Sequence, residues 1–82
     1  MNIAQVPATL VTLIEQIAPD VDASGLDPDA DLRRAADLDS LDFQSLVELV
    51  ARDLGVEIPE TDYPKVRSLR GLTDYVTVHL TM

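Results

Sequence analysis

Apolar residues recur at helical spacing in three stretches of this chain, and a proline or glycine bounds most of their ends. Ile3, Val6, Leu10, Leu13, Ile14 and Ile17 fall on one face of a helix that runs to about Ala18. Pro7 is tolerated only in a first turn, so the regular helix begins near it, and Pro19 ends it. Leu41, Phe43, Leu46, Val47, Val50 and Leu54 make a second stripe, and Gly55 supplies a left-handed stop directly after it. Leu69, Leu72, Val76 and Leu80 make the third, behind Ser68, a suitable N-cap. The β-branched run Tyr75–Val78 resembles a strand, but the apolar spacing favours a helix and no partner strand exists elsewhere.

The intervening segments are turn-rich. Asp, Pro, Gly and Ser are dense from Asp20 to Asp31, so residues 20–38 read as a long loop, with Leu26 and Leu32 tucked into the core and a short helical turn over residues 31–36. Val56-Glu57-Ile58-Pro59 is an extended connection. Pro59, Thr61 and Asp62 then favour a turn and a stubby helix before Arg67, limited in length by Pro64. The expected fold is all-α: a small four-helix bundle of three longer helices and one short one, with a long loop between the first and second helix. It forms a single domain over residues 1–82.

Composition narrows the function. Six basic residues stand against fifteen acidic ones, a net charge of −9. Nucleic acid and anionic membrane surfaces are unfavourable partners for such a chain, whereas basic protein surfaces are natural ones. There is no cysteine, so no disulfide, cysteine-ligated metal or cysteine nucleophile, and any thiol chemistry must come from an attached group. The single histidine, His79, reads as a surface residue, and no nucleophile–base pair is present. The chain reads as a non-enzyme. Without a signal peptide or a bilayer-spanning run, a cytoplasmic monomer is expected.

Chemistry concentrates in Leu38-Asp39-Ser40-Leu41-Asp42-Phe43. These residues place a serine hydroxyl in the first turn of the second helix, with an aspartate on either side. A hydroxyl there is exposed and lies beside free backbone N–H groups that attract anions, a suitable place for a phosphate-linked group. The alternative is that Asp39 only caps the helix and Ser40 is incidental.

The organisation resembles that of the acyl carrier proteins over nearly the whole chain. Leu38-Asp39-Ser40-Leu41-Asp42 is similar to the attachment motif, Leu46-Val47-Glu48-Leu49-Val50 to the rest of the second helix, Val56-Glu57-Ile58-Pro59 to the connection after it, and Asp74-Tyr75-Val76 to the last helix. The resemblance implies that a phosphopantetheinyl transferase joins 4′-phosphopantetheine to Ser40 through a phosphodiester. Acyl groups then ride on the terminal thiol as thioesters. It implies that Asp39 contacts the transferase and helps hold metal-bound coenzyme A there, besides capping the helix. Asp42, Glu48 and Glu57 would belong to an acidic face read by acyl-transfer and condensing enzymes with basic docking patches. Acyl chains in the family fold back between helices, which makes Phe43, Leu46, Val47, Leu54, Ile58, Val66, Leu72 and Val76 candidate lining residues. At helical spacing such residues also read as plain core.

The chain departs from the family pattern at several positions. Asp37 stands where many members carry glycine three residues before the serine, and Ser45 where a glutamate is common. Phe43 and Gln44 place a bulky and a neutral group beside the attachment point. These departures suggest a specialised rather than a housekeeping member. Aminoacyl and peptidyl carriers share the bundle, but their motif usually has a glycine and a histidine near the serine. A calcium-binding module is a rival reading, since Asp20, Asp22, Ser24, Gly25 and Asp31 occupy positions 1, 3, 5, 6 and 12 of an EF-hand-like loop. Asp27 and Pro28 break that pattern and no second loop accompanies it. An acidic interaction module without a prosthetic group is the other rival.

Overall fold

The first apolar stripe becomes α1 (Val6–Ile17) in a computed structural model that describes residues 2–81. Pro7 lies in its first turn, where a missing N–H costs nothing, and helical geometry is lost at Ala18, one residue before Pro19. Val6, Leu10, Leu13 and Ile14 are buried, with Ile17 half-buried. Ile3 does not share this face. It is exposed, because residues 3–5 form a 3₁₀ turn whose three-residue period carries it off the α1 stripe.

The segment expected as a long loop is partly structured. A 3₁₀ turn covers Ala23–Gly25, and α2 spans Leu32–Ala35. Asp31 caps α2, its Oδ1 accepting from the Arg33 N–H at 2.9 Å. Ala23 and Leu32 are fully buried and Leu26 packs on the core, so the loop is held from inside. It is also held along its backbone: the Leu32 N–H donates to the Arg67 carbonyl at 2.6 Å, the Arg70 N–H donates to the Pro28 carbonyl at 2.8 Å, and Arg70 forms an ion pair with Asp29.

The second stripe becomes α3 (Ser40–Leu54), ended by Gly55 at φ 70°. Phe43, Leu46, Val47, Val50 and Leu54 face the core. Leu41 does not: it is 72% exposed. At 100° per residue it shares a face with Ser45, Glu48 and Arg52, opposite Phe43. After the extended connection, a 3₁₀ helix spans Glu60–Val66 with Pro64 inside it and Val66 buried.

The third stripe becomes α4 (Leu69–Thr81), so Tyr75–Val78 is helical. The Ser68 Oγ accepts from the Gly71 N–H at 3.0 Å, the N-cap bond expected of it. Gly71 permits a close approach, since a Cβ there would lie 2.5 Å from the Lys65 carbonyl oxygen. Tyr75 adds a second tie, its hydroxyl donating to Asp62 Oδ2 at 2.6 Å. The Glu60–Val66 helix is thus clamped to α4 at two points.

Among the described residues no strand forms, apart from an isolated bridge between Asp31 and Ser68. The fold is therefore the all-α bundle expected, with α1, α3, α4 and the 3₁₀ helix as its main elements and α2 as an added turn. Their inward faces merge into one apolar cluster that contains no buried polar or charged residue among those described. No described helix is long and apolar enough to cross a membrane.

Candidate functional site

The start of α3 is built by a nested set of local interactions. Asp39 is the N-cap in extended backbone, and its Oδ1 accepts from the Asp42 N–H at 2.8 Å. Asp42 returns the bond, its Oδ2 accepting from the Asp39 N–H at 3.4 Å. This is a capping box with aspartate at both ends. Leu38 and Phe43, the residues just outside it, are 5% and 7% exposed in the same core cluster. They occupy the two positions of a hydrophobic staple, which fixes the angle at which the chain enters the helix. Four of the six residues thus shape and anchor the helix start.

The two that remain, Ser40 and Leu41, face outward. Ser40 is the first helical residue. Its hydroxyl lies outside the exchange between Asp39 and Asp42. The N–H groups of Ser40 and Leu41 have no carbonyl one turn earlier to bond, as at any helix start. A phosphate ester on Ser40 would meet those open donors and the positive end of α3, an interaction typically worth up to about 1 kcal/mol. The two carboxylates oppose it less than their charges suggest, because both are turned back onto N–H groups of the first turn. The residues present fit such a group.

The approach to Ser40 is set by the end of α2. The Leu38 N–H donates to the Arg33 carbonyl at 2.8 Å and the Asp37 N–H to the Arg34 carbonyl at 3.4 Å. These are the two bonds of a Schellman motif, with Ala36 as C-cap and Asp37 in the left-handed region at φ 53°. Glycine is the usual residue there. Asp37 is the position noted for lacking it, and a tight reversal there joins α2 to α3 three residues before the serine.

The other candidate residues are distributed as follows. Glu48 is exposed on the outer face of α3, Asp42 is half-exposed within the capping box, and Glu57 is exposed on the connection after α3. Asp53 is neutralised locally by Arg52 at 2.7 Å, and this pairing holds its carboxyl below the usual carboxylate range. Phe43, Leu46, Val47, Leu54, Ile58, Val66, Leu72 and Val76 are all buried in the one cluster. Four carboxylates of the 20–31 loop have partners: Asp22 accepts from Ser24, Asp27 from the Asp29 N–H, Asp31 caps α2, and Asp29 pairs with Arg70. Among the described residues no group of three or more potential metal ligands converges.

Two features escape the apolar stripes as read. One is the outward Leu41, a large apolar side chain between two aspartates; counting its phase against Phe43 would have found it. The other is Tyr63, which meets Phe43 edge to face with ring centroids 5.4 Å apart. Nothing local in the sequence signals that pairing.

Residues 8–76 match the family model for the phosphopantetheine attachment site, a span that runs from within α1 to within α4 and includes Ser40. The chain belongs to that family. An acyl carrier protein of Rubrobacter xylanophilus is 34% identical over an alignment of 71 residues that covers 83% of this chain and 88% of the relative. The protein is thus an acyl carrier protein, a non-catalytic carrier that works through a phosphopantetheine arm. The family match displaces the alternative without a prosthetic group.

Proposed function

We propose that Ser40 is the residue that bears the 4′-phosphopantetheine arm, and that the 82-residue chain acts as a single carrier domain. The observation that carries this is the geometry of the α3 start, where the capping box and staple consume their neighbours and leave the Ser40 hydroxyl exposed. The arm supplies the thiol that a cysteine-free chain lacks. Ser40 holds the ester at a rigid helix end, and the open N–H groups beside it favour the phosphate. Asp39 serves first as the cap and second as a carboxylate presented to the transferase.

Partner enzymes include a phosphopantetheinyl transferase and acyl-transfer and condensing enzymes of fatty acid, lipid or polyketide-type biosynthesis. Their docking patches would be basic and would meet Asp42, Glu48 and Glu57. Leu41 suits the centre of that contact, as an exposed apolar anchor ringed by charge. Association of this kind weakens as salt rises. The substitutions noted beside the serine support a specialised member, and the chain is read as a cytoplasmic monomer.

The test is intact-mass measurement after incubation with coenzyme A and a broad-specificity phosphopantetheinyl transferase. Wild type gains the mass of one arm. Ser40→Ala gains nothing while keeping the wild-type melting temperature, because the side chain it loses is exposed. A variant that still gains the arm overturns the assignment of Ser40.

A further inference from the structure

We propose that Arg33 and Arg34 hold the leaving nucleotide of coenzyme A while the arm is transferred to Ser40; this rests on Ser40 being the attachment residue. The chain carries six basic residues. Arg52, Lys65 and Arg70 are each paired with a carboxylate. Arg33, Arg34 and Arg67 are exposed and form no ion pair among the described residues. These three cations lie on one edge of the fold. Arg33 and Arg34 are neighbours in α2, and the Leu32 N–H just before them donates to the Arg67 carbonyl at 2.6 Å. Arg33, Arg34, Asp31 and Leu38 line one surface depression. Leu38 stands two residues before Ser40, so its Cα lies within about 7 Å of that of the serine.

Arm attachment brings a polyanion to this edge. The Ser40 oxygen bonds to the phosphorus that bears pantetheine, and the bond from that phosphorus to the bridging pyrophosphate oxygen breaks. Adenosine 3′,5′-bisphosphate leaves with the electron pair, and the hydroxyl proton passes to a base of the transferase. The pyrophosphate must therefore lie against Ser40, and the 3′-phosphate is one ribose removed from it. Asp37, Asp39 and Asp42 flank the serine in a chain of net charge −9, an environment that repels such a donor. Asp39 and Asp42 are turned back onto N–H groups, and Asp31, the one carboxylate in the depression, caps α2. The end of α2 adds little opposing charge, because the Arg33 and Arg34 carbonyls accept from the Leu38 and Asp37 N–H groups. Two unpaired guanidinium groups remain beside the reacting serine. Their planar forks match phosphate oxygens two at a time, and the 3′-phosphate is the group that suits them.

The test compares coenzyme A with 3′-dephospho-coenzyme A as donors for a broad-specificity phosphopantetheinyl transferase, with arm attachment followed by intact mass. Wild type prefers coenzyme A in kcat/KM. In Arg33→Gln/Arg34→Gln that preference narrows about five-fold, the size expected of two exposed charge pairs. Arg33→Lys/Arg34→Lys keeps most of it. Arg52→Gln/Lys65→Gln removes the same net charge from cations already paired and keeps all of it. A binding measurement reads the same contact without turnover: adenosine 3′,5′-bisphosphate tightens the association of wild type with the transferase, and Arg33→Gln/Arg34→Gln loses this coupling. Circular dichroism checks that each variant is folded. An equal loss with both donors makes the arginines docking residues only and overturns the proposal. So does an unchanged preference in the folded glutamine variant, or a wild type that uses both donors alike. An arm located away from Ser40 counts against the attachment residue, whereas an arm on Ser40 with any of those results counts against the arginines alone.

Discussion

Asp39 carries two roles that a pair of substitutions separates. Its Oδ1 accepts from the Asp42 N–H at 2.8 Å, so Asp39→Ala deletes the N-cap of α3. Loss of such a cap costs typically about 1 kcal/mol. A carboxylate at the positive helix end adds a further ~0.3–1 kcal/mol that alanine also forfeits. For a domain of this size each kcal/mol moves the melting temperature by roughly 4–8 °C. Asp39→Ala is thus expected to melt at least several degrees below wild type. Asp39→Asn retains the acceptor oxygen and loses only the charge, which limits the cost to a few tenths of a kcal/mol, within the dipole range of about 0.3–1 kcal/mol. Thermal unfolding followed by far-ultraviolet circular dichroism reads both. The rate of arm attachment reads the second role: if the carboxylate itself serves the transferase, both variants slow alike, although only one is unstable. An alanine variant as stable as wild type, or an asparagine variant as unstable as alanine, would refute the capping geometry.

Other consequences follow from particular contacts. Gly71→Ala gains about 1 kcal/mol of helix propensity, but its Cβ meets the Lys65 carbonyl at 2.5 Å. Overpacking costs of about 1–3 kcal/mol make the net effect destabilising in urea titration, and a variant more stable than wild type contradicts the close approach. Asp37→Gly relieves a left-handed residue at φ 53° and is expected to stabilise by a few tenths to about 1 kcal/mol after the entropy of glycine is counted; a drop in the urea midpoint would speak against the Schellman turn. The Tyr75 hydroxyl bond, aided by Lys65, holds the Asp62 carboxyl below its ordinary range. A depressed carboxylate stabilises the fold above its unfolded pKa, and that contribution disappears as pH falls through the folded value. Asp62→Asn should therefore lose stability at neutral pH and show a shallower acid limb below about pH 4, whereas an unchanged acid limb would remove Asp62 from the account.

Much of this architecture was legible because it is local. Pro7, Pro19 and Gly55 mark helix ends by backbone chemistry alone, and Ser68 caps α4 as its identity suggests. The serine-centred hexad was readable for the same reason, since Asp39 and Asp42 bond each other within one turn. Leu41 was misplaced because it is apolar beside an apolar run, yet its phase puts it on the polar face. Ile3 was misplaced because the helix starts three residues later than the stripe. Tyr63 against Phe43, Tyr75 to Asp62 and Gly71 against Lys65 join segments that only the folded chain brings together, and no local pattern encodes them. The tight reversal at Asp37 was hidden because the residue is not a glycine.

The most direct measurement is peptide-level mass spectrometry of protein incubated with the transferase and coenzyme A, with fragmentation that locates the added group. The expected result is one phosphopantetheine arm, on Ser40, and none on Ser24, Ser45 or Ser68. An arm located on any of those serines, or a folded wild-type chain that takes up none, would contradict the carrier geometry derived from the start of α3.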